Sequence, residues 1–149
     1  VKYSDLSSDR TKDYTFDWDK MLSFEGNTSP YLQYAHARIC SIFKKSGIKR
    51  ESTRKSVINL VEPSELALGR SIIGFAEALD DSCEKYLPHR LATYLHSLAQ
   101  SFAAFYENCH VLIAEEESVK LSRLALCDLT ARILNTGLDL LGIESPEQM

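Results

Sequence analysis

The side chains best equipped for chemistry lie in one stretch, Ser23-Phe24-Glu25-Gly26-Asn27-Thr28-Ser29-Pro30-Tyr31-Leu32-Gln33-Tyr34-Ala35-His36-Ala37-Arg38. On a helix Tyr31, Tyr34, Arg38, Ser41 and Lys45 recur at intervals of three and four, so they share one stripe. Two phenol rings offer flat faces and a guanidinium offers a planar cation, a combination suited to holding something planar and something anionic together. The same pattern anchors protein interfaces. From the residues alone, an RNA-binding module and a helical protein-interaction domain with no RNA role both remain open.

A second group of cations follows closely. Lys44, Lys45, Lys49, Arg50, Arg54 and Lys55 gather much of the positive charge of a chain whose net charge is −4. Such a patch can attract phosphates locally, whereas the overall acidity argues against general affinity for nucleic acid and against a DNA partner.

Signals for catalysis are missing. There is no G-x-x-x-x-G-K-[ST] phosphate loop, no G-x-G-x-x-G, no G-x-S-x-G elbow and no H-E-x-x-H pair. Asp80-Asp81 and Glu115-Glu116-Glu117 fall in runs that suit solvated faces or helix starts. Cys40, Cys83, Cys109 and Cys127 are far apart, none in a C-x-x-C pair, and His36, His89, His96 and His110 are scattered. No metal site and no catalytic residue are expected, and the cysteines should be reduced, partly buried helix residues.

The elements that must position the tyrosine stripe can be read from caps and periodicity. Gly26 and Asn27 tolerate left-handed backbone, Ser29 suits an N-cap and Pro30 suits a first helical turn, which predicts a helix from Pro30 to about Ser46, with Gly47 beyond it. Leu32, Ala35, Ile39 and Ile42 then form its core-facing stripe. A short helix within 17–24 should carry Trp18, Met21 and Leu22 as its apolar side, and Val57 to Val61 is a short apolar run that could be extended. A second long helix opens near Pro63, with Leu68, Ile72, Phe75 and Leu79 inward. After Pro88 the cleanest pattern follows, Leu91, Tyr94, Leu95, Leu98, Ala99, Phe102, Phe105 and Tyr106. The last helix is apolar on two stripes, one through Leu124, Cys127, Ala131, Leu134, Leu138 and Leu141, the other through Leu126, Leu129, Ile133 and Leu140, and should be sandwiched between others. These faces are satisfied by an all-α helical bundle of about four long helices. At 149 residues and 44% hydrophobic content one domain with its own core is expected. No apolar run is long enough to span a bilayer, so a cytoplasmic, monomeric protein without a membrane partner is the expectation. The start at Val1 suggests a piece of something larger.

The loop and helix quoted above resemble the junction between the catalytic and anticodon-binding domains of the arginyl-tRNA synthetase family. Tyr94-Leu95, Leu98-Ala99, Phe105-Tyr106, Arg123-Leu124-Ala125-Leu126, Gly137-Leu138-Asp139-Leu140-Leu141-Gly142-Ile143 and the terminal Pro146-Glu147-Gln148-Met149 occur in the same order, so the likeness covers essentially the whole chain. It implies a class I aminoacyl-tRNA synthetase, an arginine-tRNA ligase that uses ATP with magnesium to attach arginine to its tRNA. It also implies that residues 1–26 are a connector from a catalytic domain, and that 27–149 form the helical anticodon-binding domain. In that family the second and third anticodon bases are recognised, which implies that Asn27, Tyr31, Tyr34, Arg38, Tyr106 and Met149 lie near the anticodon loop of an arginine tRNA, with His110 and Arg123 also carried over. The ATP and arginine pocket would lie upstream, leaving this piece without a cofactor or a catalytic residue of its own.

Overall fold

In the computed structural model, which describes residues 1–114 and 116–149, the described residues form helices α1 (Lys2–Ser7), α2 (Trp18–Leu22), α3 (Ser29–Ser46), α4 (Arg50–Thr53), α5 (Pro63–Ile73), α6 (Phe75–Glu84), α7 (Pro88–Asn108) and α8 (Glu117–Leu140). Helix α3 starts one residue earlier than expected because Thr28, not Ser29, is its cap. Thr28 is extended, and its Oγ1 accepts from the Tyr31 amide at 3.2 Å while donating to the Ser23 carbonyl at 2.6 Å. That pair of bonds joins the loop to the first turn. Gly47, at φ 68°, ends the helix in the left-handed conformation that glycine adopts without a Cβ clash.

The α7 pattern is a core pattern in space as well. Leu95, Leu98, Phe102 and Phe105 are buried on it, packed with Leu32 and Ile39 of α3 and with Leu124, Leu134 and Leu138 of α8. Helix α7 touches α1, α3, α5, α6 and α8, which makes it the central post of the all-α bundle. On α8 the first stripe and Leu126 are buried, but Leu140 emerges into solvent in the last turn, so the sandwich covers only part of the helix.

Two local expectations change, and the segment 57–61, left open above, is placed. The second long helix is interrupted at Gly74, where Tyr94 Oη donates to the Ser71 carbonyl at 2.7 Å and so satisfies a group that the α5 terminus leaves without a helical partner. The apolar side of α2 is largely uncovered: Trp18 and Leu22 face solvent, Met21 is partly buried, and the Trp18 and Phe16 rings meet edge to face at 4.9 Å. Five residues are too few to lay a full stripe on the bundle. The segment 57–61 is irregular, with Leu60 against the core, Val57 and Val61 exposed, and Asn59 exchanging backbone hydrogen bonds with Ser122 Oγ of α8 at 2.9 and 3.1 Å.

Helix α8 begins at Glu117 with Glu116 as its N-cap; Glu115, the first of the expected acidic triplet, lies outside the described residues. The four cysteines are free thiols. Among the described residues no helix is long and apolar enough to cross a membrane.

Candidate nucleic-acid interface

Two turns of α3 and the C-terminal half of α7 bring the stripe together. The Arg38 guanidinium lies 4.3 Å from the centroid of the Tyr106 ring and 5.9 Å from that of Tyr34, close enough for both rings to hold it through cation–π attraction. No ion pair to Arg38 is formed among the described residues. The three side chains border a groove of about 790 Å³ that runs on past Ser41 to Lys44 and Lys45, with Glu147, Gln148 and Met149 along its other wall. On the opposite side of Tyr34 and Arg38 is a smaller pocket of about 340 Å³, lined by Phe24, Tyr31 and the α7 residues Ala99 and Phe102. Tyr34 is 44% exposed and belongs to both.

The stripe is not uniform. Tyr31 leans inward against His96, with ring centroids 5.4 Å apart, and burial together with the nearby Glu107 carboxylate raises its phenol pKa. Burial lowers the His96 pKa, opposed by a hydrogen bond to the Gly26 backbone. Helix-flanking Gly26 itself has φ 78°, which turns the chain into the cap at Thr28. Beside it, Asn27 Oδ1 accepts from Tyr3 Oη at 2.5 Å. The groove wall is latched to α3 by the side chains of two residues: Gln33 Nε2 donates to the Glu144 carbonyl at 2.8 Å, and His36 Nδ1 donates to the Pro146 carbonyl at 3.0 Å.

Residues 32–149 match the family described as the DALR anticodon binding domain. The chain belongs to that family. Over its whole length it is 52% identical to the arginine–tRNA ligase of Edwardsiella ictaluri and 51% identical to that of Proteus mirabilis, covering 26% of each. Its fold matches the arginyl-tRNA synthetase of Thermus thermophilus with a TM-score of 0.88 and that of Plasmodium falciparum with 0.87, each at 38% identity over 99% of this chain and 26% of the other. The chain thus spans about a quarter of the length of the relatives it matches, and the resemblance carried by the loop and the terminal motif is shown at the level of the family.

Within this DALR domain not every expected site residue joins the groove. Arg123 Nε donates to Glu65 Oε1 at 2.7 Å and its Nη1 to the His110 carbonyl at 3.1 Å, which ties α8 to α5 and to the end of α7. His110 is exposed and meets Arg123 through its backbone. Burial would raise the Glu65 pKa, but the Val61 amide, the Arg123 guanidinium and the Glu62 amide together outweigh it and hold the carboxyl below its ordinary range.

The basic patch is also smaller than its sequence. Arg50 Nε and Arg54 Nε donate to Asp128 Oδ1 and Oδ2 at 2.8 and 3.4 Å, and Asp128 is 1% exposed. A carboxylate buried that deeply must be paired, so it draws two of the six cations away from any ligand. Lys44 and Lys45 stay exposed on the groove. Tyr3, Gln33 and His36, which position the loop and the wall, carried no signal in the spacing. Among the described residues no group of three or more His, Cys, Asp or Glu is placed to hold a metal ion.

Proposed function

We propose that this domain holds the anticodon loop of an arginine tRNA on behalf of an arginine–tRNA ligase. The observation that carries the proposal is the Arg38 guanidinium, stacked on Tyr106 at 4.3 Å at an open groove and lacking an ion-pair partner among the described residues. An arginine held by two rings and left without a carboxylate is preorganised for an anion or a base plane.

Anticodon bases are unpaired and can splay outward, where the faces of Tyr34 and Tyr106 and the Arg38 plane offer stacking worth about 1 to 3 kcal/mol per base. The 340 Å³ pocket beside Tyr34 supports the insertion of a single base edge-first. Lys44 and Lys45 lie about two turns beyond Arg38 on α3, about 9 to 11 Å along its axis, within reach of other phosphates of the same strand. Stacking fixes affinity without choosing a base. Choice falls to hydrogen-bonding groups, among them the loop backbone around Gly26 and Asn27 and the polar groups of Gln148 and Met149 on the groove wall. In this proposal the domain acts as a monomer, and arginine activation with ATP and magnesium belongs to other parts of the ligase; no residue of this chain is given a catalytic role.

Fluorescence anisotropy with a labelled arginine-tRNA anticodon stem-loop tests the proposal. The expected result is saturable binding that weakens with salt by about 0.7 log units in affinity per log unit of salt for each phosphate neutralised, and that falls when the second or third anticodon base is replaced. Equal binding of every stem-loop, or none, disproves it.

A further inference from the structure

We infer that His36 is a positioning residue: its ring pins the strap 144–149 to α3 at Pro146 and so fixes where Glu147, Gln148 and Met149 stand as the far wall of the groove. The inference rests on the anticodon reading of the groove and assigns a role to a residue that does not line it.

Helix α8 ends in a turn in which the Gly142 and Ile143 amides donate to the Asp139 and Leu138 carbonyls at 2.8 and 2.9 Å. The strap beyond it is not helical, so its backbone needs partners from elsewhere. Three consecutive residues find anchors. Gln33 Nε2 donates to the Glu144 carbonyl at 2.8 Å, Ser145 Oγ donates to Asn135 Oδ1 of α8, and His36 Nδ1 donates to the Pro146 carbonyl at 3.0 Å. Residues 147–149 form no hydrogen bond among the described residues, and Met149 is exposed. His36 is therefore the last anchor before the wall.

That anchor has a fixed base. His36 is 3% exposed and sits on the helix that also carries Tyr34 and Arg38, so α3 sets both sides of the groove. A carbonyl only accepts, so Nδ1 carries a proton whatever the charge of the ring. A wall released from this bond has to be ordered again when a ligand arrives, and affinity falls by that cost.

His36→Leu removes the donor, whereas His36→Asn keeps one, because Asn Nδ2 stands as many bonds from Cα as His Nδ1 does. His36→Leu should weaken binding of the arginine anticodon stem-loop about 3- to 10-fold, the range expected for one hydrogen bond, and His36→Asn should restore most of it. Deleting residues 147–149 should weaken binding at least as much, and in that background His36→Leu should have no further effect, because no wall is left to hold. Methyl NMR gives a second readout, with Met21 as the internal reference in a chain of two methionines. The Met149 methyl should be more mobile in His36→Leu than in the parent or in His36→Asn, with Met21 unchanged. Gln33→Leu cuts the neighbouring bond from a half-buried position and should move both readouts in the same direction, which keeps the test open if His36→Leu does not fold. Parent affinity for the folded variants, an equal loss with and without residues 147–149, or a Met149 methyl as mobile in the parent as in the variants would each overturn the inference. Tyr34→Ala separates the two levels: full binding by that variant defeats the anticodon reading of the groove, while the Met149 methyl still decides whether His36 holds the wall.

Discussion

Leu95 of α7 fills the notch that Gly137 leaves in α8: a Cβ added at Gly137 would lie 2.5 Å from Leu95 Cδ2, 2.8 Å from Cδ1 and 3.1 Å from Cγ. Leu95 is fully buried, so it has nowhere to retreat. Gly137→Ala gains up to about 1 kcal/mol in helix propensity but overpacks the centre of the bundle, and a net destabilisation of about 1 to 2 kcal/mol is expected. Urea denaturation followed by circular dichroism checks this. A variant more stable than the parent would show that α7 and α8 separate easily.

Phe102 is 1% exposed and meets the rings of Phe105 and Tyr106, each with centroids 6.2 Å away. Its truncation to alanine should cost about 3 to 5 kcal/mol. Because Phe102 also lines the smaller pocket, the surviving folded fraction should bind the stem-loop less tightly. Denaturant unfolding and anisotropy on the same preparation separate the two effects.

The Glu65 carboxyl has a folded-state pKa below its unfolded value of about 4.3. Its ionised form therefore stabilises the fold at all pH above that value, and the contribution disappears as pH falls through the folded-state pKa. Between about pH 5 and pH 3 the parent should lose stability more steeply than Glu65→Gln, which carries no such proton linkage. At neutral pH Glu65→Gln should be about 1 to 3 kcal/mol less stable, since it loses the charge-assisted bond from Arg123. Parallel pH slopes for the two proteins would contradict the assignment.

Tyr34 is 44% exposed and Arg38 stands on the Tyr106 ring, so neither holds the core. Tyr34→Ala and Arg38→Ala should unfold at nearly the parent's denaturant midpoint, yet each should weaken stem-loop binding, Tyr34→Ala by about 1 to 3 kcal/mol. Tyr34→Phe should keep most of the affinity. A large stability loss with unchanged binding would make Tyr34 a structural residue.

Lys44 and Lys45 each offer an exposed ammonium to the groove, so Lys44→Gln and Lys45→Gln should each lower the salt slope of binding by about 0.7, the share of one phosphate on single-stranded RNA. Arg54→Gln should leave that slope unchanged, because Asp128 already occupies its guanidinium. A salt titration of the three variants distinguishes them.

The long helices were legible because their apolar positions repeat at helical spacing, and the rows through Leu91–Tyr106 and Leu124–Leu138 lie in the core as that spacing requires. Tyr34, Arg38 and Lys45 were legible as one stripe for the same reason. Spacing sees only one helix at a time. It could not show that Arg50 and Arg54 meet Asp128, 78 and 74 residues away, nor that Arg123 turns to Glu65. Tyr3 was missed because six residues of α1 are too few to display a period, and its partner Asn27 reads in isolation as a turn residue. At the Gly74 break the Ser71 carbonyl is satisfied by a hydroxyl from another helix, Tyr94, which no local propensity encodes.

The bonds from Gln33 to Glu144 and from His36 to Pro146 join positions 111 and 110 residues apart. During synthesis, α3 emerges from the ribosome long before the segment that latches onto it. A nascent chain halted before Glu144 can assemble the helices that bury Leu32 and Phe102, but it has only one side of the groove. Within this stretch of chain the groove therefore gains its second wall only after the bundle has formed.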